Sequence, residues 1–236
     1  MVERRLRAEL PAGSARVLDV GCGNGEMTLR LAAAGHRGTG GAPSARMPAA
    51  AADRLAARPE LAERVRLVDA DLESLPLEGE RFSAVCCQGV LMYLNELDAA
   101  GAGAGEAVAP GGLPSVLAEN RRAIGVREGL TGDHEAARRL IESEADTSVG
   151  NLGRETHGAG PGVLDRLVAE HGLSPLPWQG IRIFHDHLDD TWTPHPNPAA
   201  YAAVLELEWA ASWWSPDRDR GHLVHTLARR PERSRP

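Results

Sequence analysis

Val17-Leu18-Asp19-Val20-Gly21-Cys22-Gly23-Asn24-Gly25 is the stretch whose reading decides the fold. Ala15 to Val20 is a short, mostly apolar run and reads as a buried strand. Gly21, Gly23 and Gly25 alternate with Cys22 and Asn24, which makes a tight turn: glycine takes positive φ without steric cost and lets backbone N–H groups approach a ligand. Glu26 to Ala34 then reads as a helix that stops at Gly35. Strand, glycine turn and helix N-terminus together favour a ligand carrying negative charge. The pattern G-x-G-x-G lacks the later glycine of a dinucleotide fingerprint, because position 26 is Glu. Glu26 opposes a pyrophosphate, so the turn reads as the seat of a zwitterionic tail.

Outward from the turn, strand and helix signals alternate. Further strands are expected at Thr39 to Ala42 (weak, because of Gly38, Gly40 and Gly41), Val65 to Val68, Phe82 to Cys87 and, after a turn at Pro110-Gly111-Gly112, Leu113 to Leu117. Helices are expected from Ser44 to about Ala57 and from Leu97 to Val108. The alternation predicts parallel βαβ units in a doubly wound α/β sheet. Residues 119–162 read as a helical insertion. Val163 to His171 and Ala199 to Trp213 are expected as helices, and Trp178 to His187 and Leu223 to Ala228 as strands that complete the sheet with an antiparallel pair. The whole, 1–236, reads as one domain with a core over 14–118 and a C-terminal completion over 163–230.

Composition sets limits. Apolar residues make up 42% of the 236, enough for a sizeable core, and the 25% of charged residues carry a net charge of −7. That balance disfavours non-specific nucleic-acid binding, which rests on Lys and Arg. Cys22, Cys86 and Cys87 form no disulfide framework or metal spacing, so a reducing cytoplasm is expected. No signal peptide and no run of ~18 apolar residues is visible, so no membrane partner is expected.

These segments resemble the class I S-adenosylmethionine (SAM)-dependent methyltransferases. Leu18 to Gly25 matches the family's first motif, and Val90-Leu91-Met92-Tyr93 and Ala109-Pro110-Gly111-Gly112-Leu113 match later ones. The resemblance implies a Rossmann-like fold, SAM as cofactor, and a cofactor site of Asp19, Gly21, Cys22, Gly23, Asn24, Gly25, Ala42, Met47, Ala70, Asp71, Leu72 and Gln88. Asp71, in Val68-Asp69-Ala70-Asp71-Leu72, is placed to accept from an adenine amino group at the carboxyl edge of the third strand. Gln88 lies on the same edge after the fourth.

A narrower resemblance, to the bacterial tRNA 5-carboxymethoxyuridine methyltransferases, lies in Gly180 to Leu188, Leu205-Glu206-Leu207-Glu208 and His225 to Arg229, with Asn120 and Thr131-Gly132-Asp133 alongside. Four departures from the methyltransferase family pattern accompany these resemblances. Ala42 occupies the place of an acid that holds both ribose hydroxyls, a loss of about 1.5–3 kcal/mol. Ser83 stands where Asp is usual, and Gly101, Gly103 and Gly105 crowd one expected helix. A longer N-terminal cover is implied by the resemblance and is not contained in this sequence.

Tyr93, Arg182 and His185 are the expected catalytic groups: Tyr93 near the methyl site, Arg182 as a holder of an acceptor carboxylate, His185 on the pocket wall. His185 and His187 share one face of an expected strand, but no third ligand accompanies them, so no metal is expected. Trp209, Trp213 and Trp214 read as packing groups. The expected function is O-methylation of a small-molecule acceptor. The alternatives are esterification of a tRNA wobble-uridine carboxylate, with tRNA disfavoured by the net charge, and a non-catalytic protein on the SAM-binding fold.

Overall fold

A computed structural model describes residues 1–41, 46–69, 79–93, 105–143, 147–149, 155–184 and 197–232. The elements, in chain order, are α1 (Val2–Glu9), β1 (Arg16–Val20), α2 (Glu26–Ala33), β2 (Arg37–Gly41), α3 (Arg46–Ala56), β3 (Val65–Val68), β4 (Phe82–Gln88), β5 (Val108–Glu119), α4 (Val126–Thr131), α5 (His134–Glu142), β6 (Thr147–Val149), β7 (Glu155–His157), α6 (Pro161–Glu170), β8 (Ser174–Pro175), β9 (Gln179–Ile181), α7 (Pro198–Ala211) and β10 (Leu223–Arg229). The main sheet runs β3-β2-β1-β4-β5-β10-β8, with β9 also on β10. β3, β2, β1, β4 and β5 pair in parallel, and β10 is antiparallel to β5, β8 and β9. This is the doubly wound α/β sheet with an antiparallel C-terminal end that the sequence implies.

Both faces of the sheet are covered, which is why its strands are almost continuously apolar. Leu18, Val20, Val85, Cys87 and Val116 face one way, with Leu164 of α6 and Trp178. Val17, Ala84, Cys86, Leu113 and Leu227 face the other way, with Val2 and Leu6 of α1 and Leu31 of α2. α1 also meets the end of α7: Arg4 and Arg5 lie over Trp209 and Trp213, which themselves pack edge to face at 5.5 Å.

Several expectations need correction. β2 is a full parallel strand in spite of its glycines, because α2 presses onto it. A Cβ on Gly38 would lie 2.7 Å from Thr28 Cγ2, and one on Gly40 would lie 3.0 Å from Cys22 Sγ. β5 begins at Val108, five residues before the expected start. Pro110-Gly111-Gly112 is an irregularity within the strand and not a turn before it. The expected helix to Val108 therefore ends at 107, and its part over 97–104 lies outside the described residues. The insertion is not only helical: β6 and β7 form an antiparallel pair, and β7 packs on the Leu91–Tyr93 turn. Of the expected strand from Trp178 to His187, only Gln179–Ile181 is strand among the described residues, because Arg182 takes a left-handed φ of 62° and leaves the ladder; 185–187 lie outside the described residues. Trp213 and Trp214 lie just past the end of α7.

Candidate functional site

The glycine turn has the backbone that its sequence calls for. Gly21, Gly23 and Gly25 have φ of 65°, 56° and 75°. The Gly25 N–H donates to Cys22 O at 2.9 Å, and the Cys22 N–H donates to Gly41 O at 2.9 Å, which ties the turn to the end of β2. Gly25 is the N-cap of α2, and Asn24 Oδ1 accepts from the Glu26 N–H. A Cβ on Gly21 would lie 2.4 Å from Val90 Cγ2, so the segment after β4 rests directly on the turn. Glu26 does not project a free charge onto it. Its carboxylate pairs with Arg30 and Arg54, and hydrogen bonding to Arg30 first, then to Arg54, holds it below the usual carboxylate range. The exclusion of pyrophosphate by Glu26 is therefore weaker than the sequence implies.

Asp19 is 2% exposed and accepts from Thr28 Oγ1 at 2.6 Å. Burial pushes its carboxyl up to about 6 against a partial opposing effect of Thr28. Burial, and Asp19 nearby, raise the Cys22 thiol to about 11; Cys87 is raised to about 12 and Cys86 well above its ordinary value. On the neighbouring strand, Gln88 Nε2 donates to Ser115 Oγ at 2.8 Å and Ser115 O at 3.3 Å. Ser115 Oγ lies 2.9 Å from Nε2 of His225, which burial drives down to about 3 and so keeps neutral. The Gln88 amide is thus fixed by its nitrogen, while Oε1 is buried without a partner among the described residues. Ser115 and His225 were not among the expected site residues. Their signal was a polar side chain inside an apolar strand run, Leu113-Pro114-Ser115-Val116 and Leu223-Val224-His225.

On the acceptor side, Tyr93 closes the turn after β4, with its N–H on Val90 O. Arg182 sits at the carboxyl edge just past β9, and the buried Glu208 accepts from the next two N–H groups, Ile183 at 3.0 Å and Phe184 at 2.9 Å. Asn120 is wholly buried, and its Nδ2 donates to Asp219 O and Gly221 O. Arg122 pairs with Asp219, and Arg138 and Arg139 pair with Glu142 and Glu135 along the exposed face of α5. The structure thus brings Asp19, the glycine turn, Gln88 and Tyr93 to one sheet edge. Ala42, Ala70, Asp71, Leu72 and His185 lie outside the described residues, as does the side chain of Met47, whose backbone is in α3.

Residues 17–112, from β1 into β5, match a known family. That stretch is similar to the methyltransferase domain. Among solved structures, the chain is similar to a SAM-dependent methyltransferase from Mesorhizobium loti, at TM-score 0.63 and 20% identity, covering 96% of each chain. It is also similar to the 1,6-didemethyltoxoflavin-N1-methyltransferase of Burkholderia thailandensis solved with bound 1,6-didemethyltoxoflavin and S-adenosylhomocysteine (SAH), at TM-score 0.60 and 19% identity, covering 98% of this chain and 77% of that one. A third is the [4+2]-cyclase SpnF, at TM-score 0.63 and 21% identity, covering 98% and 80%. No curated protein matches the chain. The residues present suit a ligand with a zwitterionic tail, such as the SAM or SAH bound in similar solved structures. Three positive-φ glycines open backbone N–H groups beside a helix N-terminus, and the orphaned Gln88 Oε1 offers an acceptor at the same edge.

Proposed function

We propose that this protein transfers the methyl group of SAM to an oxygen of a small-molecule acceptor. The observation that carries the reading is the glycine turn at the carboxyl end of β1, with β4 and Gln88 Oε1 beside it. In this reading the N–H groups of Gly21 to Gly25 take the carboxylate of the methionine tail, and Gln88 accepts from its ammonium or from an adenosine hydroxyl. Asp71 receives the adenine amino group, and Ala42, Met47, Ala70 and Leu72 surround the nucleoside. Tyr93 lies beside the transferring methyl, which SAM supplies as an electrophile. The protein's part is alignment, worth ~7–11 kcal/mol in a well-held pair. Burial and Asp19 keep the Cys22 thiol of the turn protonated at neutral pH, so it would not compete as an acceptor.

An oxygen acceptor is supported by the guanidinium groups of Arg127, Arg182 and Arg220 along one wall, which suit an acid or an ionised hydroxyl better than an ammonium. A small acceptor is favoured over tRNA by the net charge of −7 and by the engagement of Arg122, Arg138 and Arg139 with carboxylates. Calorimetric titration of the full chain with SAM and with SAH is expected to give one site each, with Kd below about 100 µM, or ~5.5 kcal/mol. Absence of binding by both overturns the reading. Binding without transfer to any member of a panel of hydroxy and carboxylic acids would turn it toward a non-catalytic use of the same fold.

A further inference from the structure

We propose that Gln88 is held as a hydrogen-bond acceptor by a polar chain that crosses the sheet to α7, and that the ligand group it meets is the ammonium of the methionine tail. His225, with its ring proton on Nδ1, is the positioning residue at the middle of that chain. The inference rests on the SAM reading for the identity of the ligand; the chain itself stands without it.

The chain has two ends, and at each a backbone carbonyl, which can only accept, fixes the direction of the hydrogen bonds. At the first end, Gln88 Nε2 donates to Ser115 O at 3.3 Å and to Ser115 Oγ at 2.8 Å. A carbonyl oxygen in that place would face another carbonyl, so the amide meets Ser115 with its NH2 and has Oε1 left over. At the second end, Ser212 Oγ donates its one proton to Trp209 O at 2.8 Å. Ser212 Oγ is then free to accept, and it accepts from Gln179 Nε2 at 2.9 Å. Gln179 Oε1 is the acceptor left over at that end, buried and without a partner among the described residues.

The two directions meet at His225. Ser115 Oγ accepts from Gln88, so its own proton goes to Nε2 of His225, 2.9 Å away. Burial first, and Arg5 second, drive His225 down to about 3, so at neutral pH the ring carries one proton, and Nδ1 is the nitrogen left to carry it. Nδ1 is also buried without a partner among the described residues. His225 of β10 and Gln179 of β9 are register partners, so their side chains share a face with Cβ atoms roughly 4.5–5.5 Å apart. A leftover donor and a leftover acceptor thus stand opposite one another, as the two directions require. Cys86, two residues before Gln88, is raised well above its ordinary value by burial and keeps its proton, so no thiolate competes for the amide NH2.

Val20 pairs with Cys87, so Gln88 comes level with Gly21, where the glycine turn begins. The ammonium of SAM is one carbon away from the carboxylate assigned to that turn. A loose amide would offer its NH2 or its oxygen to whatever it met; a held one offers the oxygen alone. A charged donor makes the stronger bond to it.

The test has two measurements on the full chain. Nitrogen NMR with isotope-labelled histidine, assigned through His225→Gln, reads the ring: His225 is expected neutral at pH 7 with its proton on Nδ1. Calorimetry compares SAH with its analogue lacking the α-amino group, for the parent, His225→Leu and His225→Gln. The parent should prefer SAH by at least about tenfold. In His225→Leu, which gives Ser115 nothing to donate to, that preference should fall below about threefold, through weaker SAH binding with the deamino analogue unchanged. His225→Gln returns an oxygen near the place of Nε2 and should keep most of the preference, whereas a loss of packing alone would weaken both ligands alike in both variants. A proton on Nε2, an imidazolium at pH 7, a parent without the preference, or a preference unchanged in a folded His225→Leu each overturns the proposal, as does equal weakening of both ligands. Should His225→Leu misfold, Ser115→Ala takes its place under the same criteria. Failure of the parent to bind SAH strikes the SAM reading instead, and the position of the ring proton still decides the chain.

Discussion

Gly23→Val is expected to weaken SAM binding by at least about 100-fold, or ~2.8 kcal/mol. Gly23 has φ of 56°, a region in which a β-branched residue is a true outlier. Valine there forces the backbone toward negative φ, and that rotation swings the N–H groups on either side of it. Those are the groups assigned to the methionine carboxylate. The turn has little slack to absorb the change, because Cys22 is tied to Gly41, Gly25 to Cys22, and Gly21 is covered by Val90. Strain of ~1–3 kcal/mol adds to the lost contacts. Calorimetry on a variant whose circular dichroism matches the parent checks this. Parental affinity for SAM would place the methionine tail elsewhere.

Asp19→Asn should make the protein more stable at pH 7.5, by about 1–3 kcal/mol, while weakening SAM binding. Asp19 sits in β1, wholly enclosed, with Thr28 as the hydrogen-bond partner of its carboxylate among the described residues. Its ordinary value of 3.8 is raised to about 6, so between those values the folded state keeps a proton that the unfolded chain has released. Stability from this group is therefore greatest below about pH 4 and is lost as the pH rises through 6, by about 3 kcal/mol in all. His225 acts in the opposite sense. It falls from 6.5 to about 3, so the folded state refuses a proton that the unfolded chain accepts, and stability is lost as the pH drops from 6.5 toward 3, by about 5 kcal/mol. The two slopes oppose each other between about pH 4 and 6. Asparagine keeps an acceptor for Thr28 and removes the charge, so the variant should gain stability at neutral pH and show a steeper loss on acidification. Urea unfolding at pH 5 and 7.5 measures both. A variant less stable than the parent at pH 7.5 would mean that the carboxylate is held by more than its burial costs.

The parts of the fold legible in the sequence were those where backbone and side-chain pattern agree. β1, the glycine turn and α2 were readable because positive-φ positions and apolar runs leave little choice. β3, β4 and β10 were readable for their apolar runs. The misreadings share one cause, a local signal overridden by a tertiary contact. Gly38 and Gly40 read as weakening an expected strand, yet they are small because Thr28 and Cys22 press on β2. Pro110-Gly111-Gly112 read as a turn, yet the segment is held in the sheet by Arg230, whose guanidinium donates to Gly105 O and Val108 O and whose N–H donates to Gly112 O. Arg182 gave no sign of leaving its strand, because the agent is Glu208, twenty-six residues away on another element. Within the candidate site, the glycines, Asp19 and Gln88 were legible from position on a strand edge. Ser115, His225 and Glu208 were not, since each acts through a partner that sequence spacing does not reveal.

The three cysteines lie at graded depth, Cys22 in the ligand turn and Cys86 and Cys87 in the central strand β4, paired on both sides. Only a thiolate reacts with an alkylating reagent, and all three thiols are raised well out of reach near neutral pH while the structure is closed. Modification must therefore wait for an opening, and each sulfur times a different one. Cys22 counts the brief local excursions of the turn, which a bound ligand would make rarer. Cys86 and Cys87 count events that separate β4 from β1 and β5, which amount to unfolding of the whole sheet. The chain thus carries two internal clocks, one for the breathing of its turn and one for its lifetime in the folded state, and both can be read by mass spectrometry of the alkylated protein.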